Sequence, residues 1–256
     1  MLNLIKSEIL KTRSTQVWLW MVLPAVALTA LSTIFTVYST IDDHENLGRQ
    51  INYYDIFTQS GGAAVALLVI GVLGLTTEFR HKTITPTLLA TPQRWTLLAG
   101  KAISYVMFSL FYAAVCLIVN FAIAIIWLDA KSLPIDFGHG VVGGVIKAFL
   151  ALVLTALFGL GLGALIKNQA ASMVVGILYF AIINGLLSAI PGVRKAYPYT
   201  PGGAVTAFTS NGHLQGNGLS SDVHMLAPLV GGLLFLAWAL ALLVAGGMVS
   251  LNRDIS

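Results

Sequence analysis

The chain has 256 residues, of which 57% are hydrophobic and only 9% charged, with mean hydropathy +0.86 and a formal charge of +4. A soluble domain carries roughly 25% charged residues, so a water-soluble enzyme or nucleic-acid binder is excluded and an integral membrane protein is expected. The basic balance calls for no nucleic acid, because cytoplasmic loops of membrane proteins collect Lys and Arg. The length has room for about six spans of about 20 residues. The single cysteine, Cys116, lies in an apolar run and reads as a small packing residue.

Residues 1–15 place Leu2, Ile5 and Ile9 at helical spacing beside Lys6, Lys11 and Arg13, the pattern of an amphipathic helix lying on a membrane surface. Residues 16–39 form the first expected span, too long for the apolar part of a cleaved signal, with Trp18 and Trp20 as interfacial anchors in its first turn. Residues 40–58 carry Asp42, Asp43, Glu45, Arg49 and Asp55 and read as a polar loop. Further spans are expected at 61–77, 102–128, 141–166, 172–190 and 225–251. Lys147, near the start of the fourth, is placed to snorkel to the headgroups. Gly159 and Gly163 in that span, with Gly231-Gly232 and Gly246-Gly247 in the last, are spaced for close helix contact, either inside one bundle or across a dimer seam.

Two stretches between spans are too patterned to be linkers. The first, 78–101, opens with Glu78, Arg80, His81 and Lys82 and closes with Arg94 and Lys101. Between them Thr85 can cap a short helix that Pro86 begins, Leu88 and Leu89 form an apolar knob, and Pro92 ends it. A stubby helix of this kind is built to touch a partner in the cytoplasm. The second, 191–224, is broken by Pro191, Pro198 and Pro201, while Tyr197, Tyr199 and Phe208 give it interfacial character; short helices dipping partly into the outer leaflet are expected, the alternative being a structured surface loop that does not re-enter.

Orientation follows from the basic residues. Lys6, Lys11, Arg13, Arg80, Lys82, Arg94, Lys101, Lys167 and Arg253 fall on one side, and Arg49, Lys131, Lys147, Arg194 and Lys195 on the other. Nine against five puts both termini in the cytoplasm.

Catalytic chemistry has little to stand on. The five histidines are His44, His81, His139, His213 and His224, none at a metal-ligand spacing, and no G-x-S-x-G occurs. The interiors of the expected spans hold no charge, and Asn120 and Asn184 read as hydrogen-bonding glue between helices, which weakens an ion-coupled mechanism. No G-x-x-x-x-G-K-[ST] loop is present, so ATP-driven transport would need its motor on another polypeptide.

The order of spans, the stretch TTEFRHKTITPTLLATPQRWTLLAGK and the segment YPYTPGGAVTAF together resemble the permease subunit of an ABC exporter of the type-two class, which moves drugs, antibiotics, lipids or polysaccharides, with actinobacterial members most similar. The family pattern is met by Glu78, Arg80, Thr83, the piece 84–90 with Ile84, Thr87, Leu88 and Leu89, then Pro92, Arg94 and Lys101; Lys82 replaces a family glycine. The resemblance implies an all-α membrane protein of six transmembrane helices, with an N-terminal interfacial helix and a coupling helix between spans 2 and 3 that docks on the ATPase. It also implies re-entrant helices around Pro191, Tyr197, Pro198, Pro201 and Phe208 that close the outside. The implied partners are two ABC ATP-binding subunits carrying ATP and Mg, a second permease chain, identical or related, and membrane lipids. The implied location is the bacterial cytoplasmic membrane, with no cofactor on this chain. An ion-coupled secondary transporter and a non-transporting accessory or sensory subunit are the rival readings.

Overall fold

The computed structural model of the chain describes residues 17–48, 50–81, 94–138, 140–190, 193–210 and 224–251. Among these residues there are helices and no strand, and six helices or helix pairs are long and apolar enough to cross a membrane. The described helices are α1 (Val17–Leu47), α2 (Tyr53–Thr58), α3 (Gly61–Arg80), α4 (Arg94–Ala130), α5 (Val141–Ile166), α6 (Gln169–Leu178), α7 (Asn184–Ala189), α8 (Pro201–Thr209) and α9 (Pro228–Leu251). A π-helical turn, Tyr179–Ile183, joins α6 to α7, and a 3-10 turn, Tyr197–Tyr199, precedes α8.

Hydrocarbon offers a helix no apolar driving force toward another helix, so close backbone approach through small residues decides which helices form the centre. The centre here is α5, whose most apolar window is 72% buried, packed on α3, while the α6–α7 span is only 11% buried. Gly71 of α3 lies against the backbone of Ala156, and Gly159 of α5 against that of Leu68. A Cβ on Gly163 would meet the Val72 carbonyl at 2.8 Å. On the other side of α5, Cβ atoms on Gly161 and Gly246 would meet the Leu243 nitrogen at 2.8 Å and the Ala164 side chain at 2.5 Å, so α9 seats there in the same way. The glycine pairs therefore serve packing within one bundle; Gly143, which faces open space, is an exception.

Successive spans run in opposite directions, so the bundle has two ends. The end holding residues 81 and 94, together with the 167–168 turn, is called proximal. The other, holding α2, α8 and the 131–140 connection, is called distal. Aromatic packing closes the distal end: the Phe57 ring lies 5.1 Å from both Phe121 and Phe137, against buried Val37, Ile41 and Leu128.

Several expected boundaries move. The first span continues to Leu47, so residues 40–47 are helix rather than loop: Ile41 is buried, and Glu45 reaches Lys131 at 2.9 Å. The expected loop also contains α2, capped by Asn52, whose side chain accepts from the Asp55 amide at 3.3 Å. The third span begins at Arg94, eight residues before its expected start at 102. The charged stretch expected at 78–101 is thus helical at both ends, over 78–80 and 94–101, where Glu78 and Lys101 pair with each other. The fifth span is interrupted by the π turn.

Candidate functional site

The proximal end is assembled by opposite charges on two helices. Glu78 sits in the last turns of α3 and Lys101 in the early turns of α4. Their Oε1 and Nζ atoms stand 2.7 Å apart, with the side chains 4% and 1% exposed. A lone charge inside such a bundle is unaffordable, whereas a well-made pair offsets its own desolvation. These side chains face the bundle, so they do not form a surface on which a partner could sit, as the sequence reading expected of them. What the pair does is bring the end of α3 to the beginning of α4 and so close the base of the 82–93 segment.

Arg80 is exposed and donates to the Gln169 Oε1 at 3.2 Å, linking the end of α3 to the start of α6. Lys167 has φ of +62°, a left-handed conformation that ends α5, and its amide donates to the Gly163 carbonyl at 3.0 Å. Its Nζ reaches across to the Val249 carbonyl near the end of α9 at 2.9 Å, a cation placed where a helix C-terminus welcomes one. Asn168 then caps α6 by accepting from the Ala171 amide at 3.1 Å. Arg94 opens α4. Thr83, Ile84, Thr87, Leu88, Leu89 and Pro92, the core of the expected coupling helix, lie outside the described residues, as do the 1–15 helix and Pro191.

The distal segment is a packed unit. Thr200 caps α8, its hydroxyl accepting from the Gly203 amide at 3.1 Å and donating to the Tyr197 carbonyl at 2.7 Å, and Pro201 takes the first helical position. Gly203 lies so close to the Tyr197 carbonyl that any side chain would collide with it. Tyr197 and Pro198 are buried, and the Tyr197 hydroxyl stands 3.2 Å from that of Thr206. The unit docks on α9: Phe208 covers Gly232, where a Cβ would lie 2.7 Å from the ring, and Trp238 Nε1 donates to the Tyr199 carbonyl at 3.0 Å. Four of the five residues expected at the outer gate, Tyr197, Pro198, Pro201 and Phe208, are thus gathered in one unit.

Three side chains that matter here were not legible as such. Tyr54 donates from its hydroxyl to the Thr209 carbonyl. Lys147, expected to snorkel, has a partner within the bundle: its Nζ donates to the Ser210 carbonyl at 2.7 Å, an acceptor that the end of α8 presents within reach. Tyr179, in the π turn, accepts from the Gly202 amide at 3.2 Å. The Asn-x-x-Asp spacing of Asn52 and Asp55 was the available signal that a helix carrying Tyr54 starts there. Toward the distal end Asn120 donates to Thr33 Oγ1 at 3.0 Å and to the Ile56 carbonyl at 3.3 Å, joining α1, α2 and α4 as interhelical glue.

Among the described residues no three His, Cys, Asp or Glu side chains gather as a metal-binding group. The described helices form two ends joined by a tightly packed α3–α5–α9 core. No family model matches the chain, and no curated protein matches it.

Proposed function

We propose that the chain is the membrane-spanning permease subunit of an ATP-driven exporter of the type-two ABC class, carrying a hydrophobic or amphipathic cargo across the bacterial cytoplasmic membrane. The observation that carries this reading is the buried Glu78–Lys101 pair. It fastens the two long helices α3 and α4 on either side of the proline-containing sequence 82–93 that links them. A segment held that way can transmit a push to two spans at once, which is what a coupling helix must do. Its sequence, with Leu88 and Leu89 between Pro86 and Pro92, supplies an apolar tip for a cleft on a partner.

In this reading the proximal end is cytoplasmic and both termini lie there. Two ATP-binding subunits, holding ATP and Mg, dock below two permease chains, and hydrolysis takes place on them rather than on this chain. Arg80 and Arg94 flank the coupling helix, and the amphipathic 1–15 helix lies in the membrane surface beside it. The unit containing Tyr197, Pro198, Pro201 and Phe208, which Pro191 precedes in sequence, forms the re-entrant outer closure. ATP-driven movement of the partner shifts the equilibrium between permease states only as far as its contacts differ between them. The described spans carry their charges, the buried Glu78–Lys101 pair included, near their ends, which favours this reading over an ion-coupled transporter with ionisable groups at mid-membrane.

The test is copurification. The wild-type chain, tagged and extracted gently, is expected to bring down a Walker-motif ATPase encoded beside it, and a variant with Leu88→Asp and Leu89→Asp is expected to insert normally but lose that ATPase and export. If ATPase binding and export both persist in the variant, the docking role of this segment is wrong.

A further inference from the structure

The first turns of α5 touch both α2 and the end of α8. Gly144 gives the Tyr54 ring of α2 a bare stretch of backbone to lie on, since a Cβ there would overlap the ring and stand 2.6 Å from Thr58 Cγ2. Lys147, one turn further on, holds its Nζ 5.8 Å from the centre of the same ring and donates to the Ser210 carbonyl. The Tyr54 hydroxyl takes the adjacent Thr209 carbonyl. The end of α8 therefore receives one neutral and one cationic donor at carbonyls that the helix itself leaves without partners. A cation is favoured at that place by the helix dipole as well.

Burial separates this contact from the ion pair at the other end. Glu78 and Lys101 are almost completely enclosed, so parting them would strand two charges. The Tyr54 and Lys147 bonds are only part-buried, and water can take over both carbonyls and the amine when they open. The first contact is a rivet and the second a catch. The α8 helix has nine residues, too few to persist without an external seat.

We propose that Tyr54 and Lys147 form a releasable latch that seats α8 against α5, and that opening of the distal end begins with the loss of the Lys147–Ser210 bond. The seating of α8 stands by itself; the opening step rests on the exporter reading.

Hydrogen exchange of the full-length chain in lipid nanodiscs, read by mass spectrometry, tests this. In Lys147→Met the amides of 203–210 are expected to exchange about tenfold faster, the consequence of losing a hydrogen bond to a charged group. A smaller acceleration is expected in Tyr54→Phe, recovery in Lys147→Arg, and no change in Lys131→Ala, which removes the surface pair with Glu45 at the same end. Unchanged exchange over 203–210 in both Lys147→Met and Tyr54→Phe, with α3 and α5 still protected, overturns the latch. Acceleration spread equally over α3 and α5 overturns it too, because the residues would then merely support the bundle. Faster exchange confined to 203–210 in a chain that brings down no ATPase sustains the seating and removes the exporter reading; unchanged exchange in a chain that does bring one down removes only the latch.

Discussion

Glu78 and Asn120 are both buried polar residues in a membrane bundle, yet their removal should have very different consequences. Replacing Glu78 by Ala leaves the Lys101 ammonium enclosed without its carboxylate, and breaking a buried pair in this way costs about 3–5 kcal/mol. Replacing Asn120 by Leu removes bonds to Thr33 and Ile56 but strands only neutral groups, and interhelical hydrogen bonds of that kind are worth about 0.6–1.7 kcal/mol. Thermal unfolding in detergent is expected to rank Glu78→Ala and Lys101→Ala far below wild type and Asn120→Leu close to it. The charge-swapped double variant, Glu78→Lys with Lys101→Glu, is expected to regain part of the loss. If the swap is no better than the single variants, the pair is not what joins these helices. In the sequence Glu78 and Lys101 are the ends of a charged stretch whose pattern points to a surface. Their spacing of 23 residues carries no sign that the chain turns back and brings them within 2.7 Å.

At the scale of elements, the helices follow from runs of apolar residues, while their seating depends on where small residues fall on facing sides. Gly71 opposes the Ala156 backbone and Gly159 opposes that of Leu68, so α3 and α5 touch main chain to main chain. Gly71→Leu is expected to force them apart, at a cost of at least the 1–3 kcal/mol or so of an overpacked core, and to reduce folded yield in detergent. Gly143→Leu, where a side chain meets open space, is expected to leave yield unchanged and serves as its control. Equal yields from the two would mean that the backbone contact is dispensable. The expected glycine contacts could be named from the sequence but not assigned to one chain or two; the facing backbones make that assignment. The π turn at Tyr179–Ile183 and the early helix α2 were missed for different reasons. A π turn has no composition of its own, whereas the cap at Asn52 was present but lay within a run of charges that reads as loop.

For the molecule as a whole, the proposed exporter mechanism requires that the proximal and distal ends face different compartments, with the proximal end in the cytoplasm. The chain has one cysteine, Cys116, and it is buried, so a Cys116→Ser background accepts single reporter cysteines. In intact cells a membrane-impermeant maleimide is expected to label Asp43→Cys and Lys131→Cys, at the distal end. Asn168→Cys, in the proximal turn, is expected to react only after the membrane is broken. The reverse pattern would turn the molecule over and leave the 82–93 segment facing away from any ATPase.

Composition by itself determined that this is a membrane protein, and the apolar runs determined that it has about six crossings, because hydropathy is a sum over neighbours in the chain and needs no knowledge of the fold. The charged and proline-broken stretches marked where the two ends would be. Which side chain meets which was decided only in three dimensions. Tyr54 and the Thr209 carbonyl are 155 residues apart, and Lys147 finds Ser210 across 63. Contacts of that range depend on the order and tilt in which helices pack, and packing in lipid is chosen by shape and by the pairing of a few polar groups rather than by any property of a local segment.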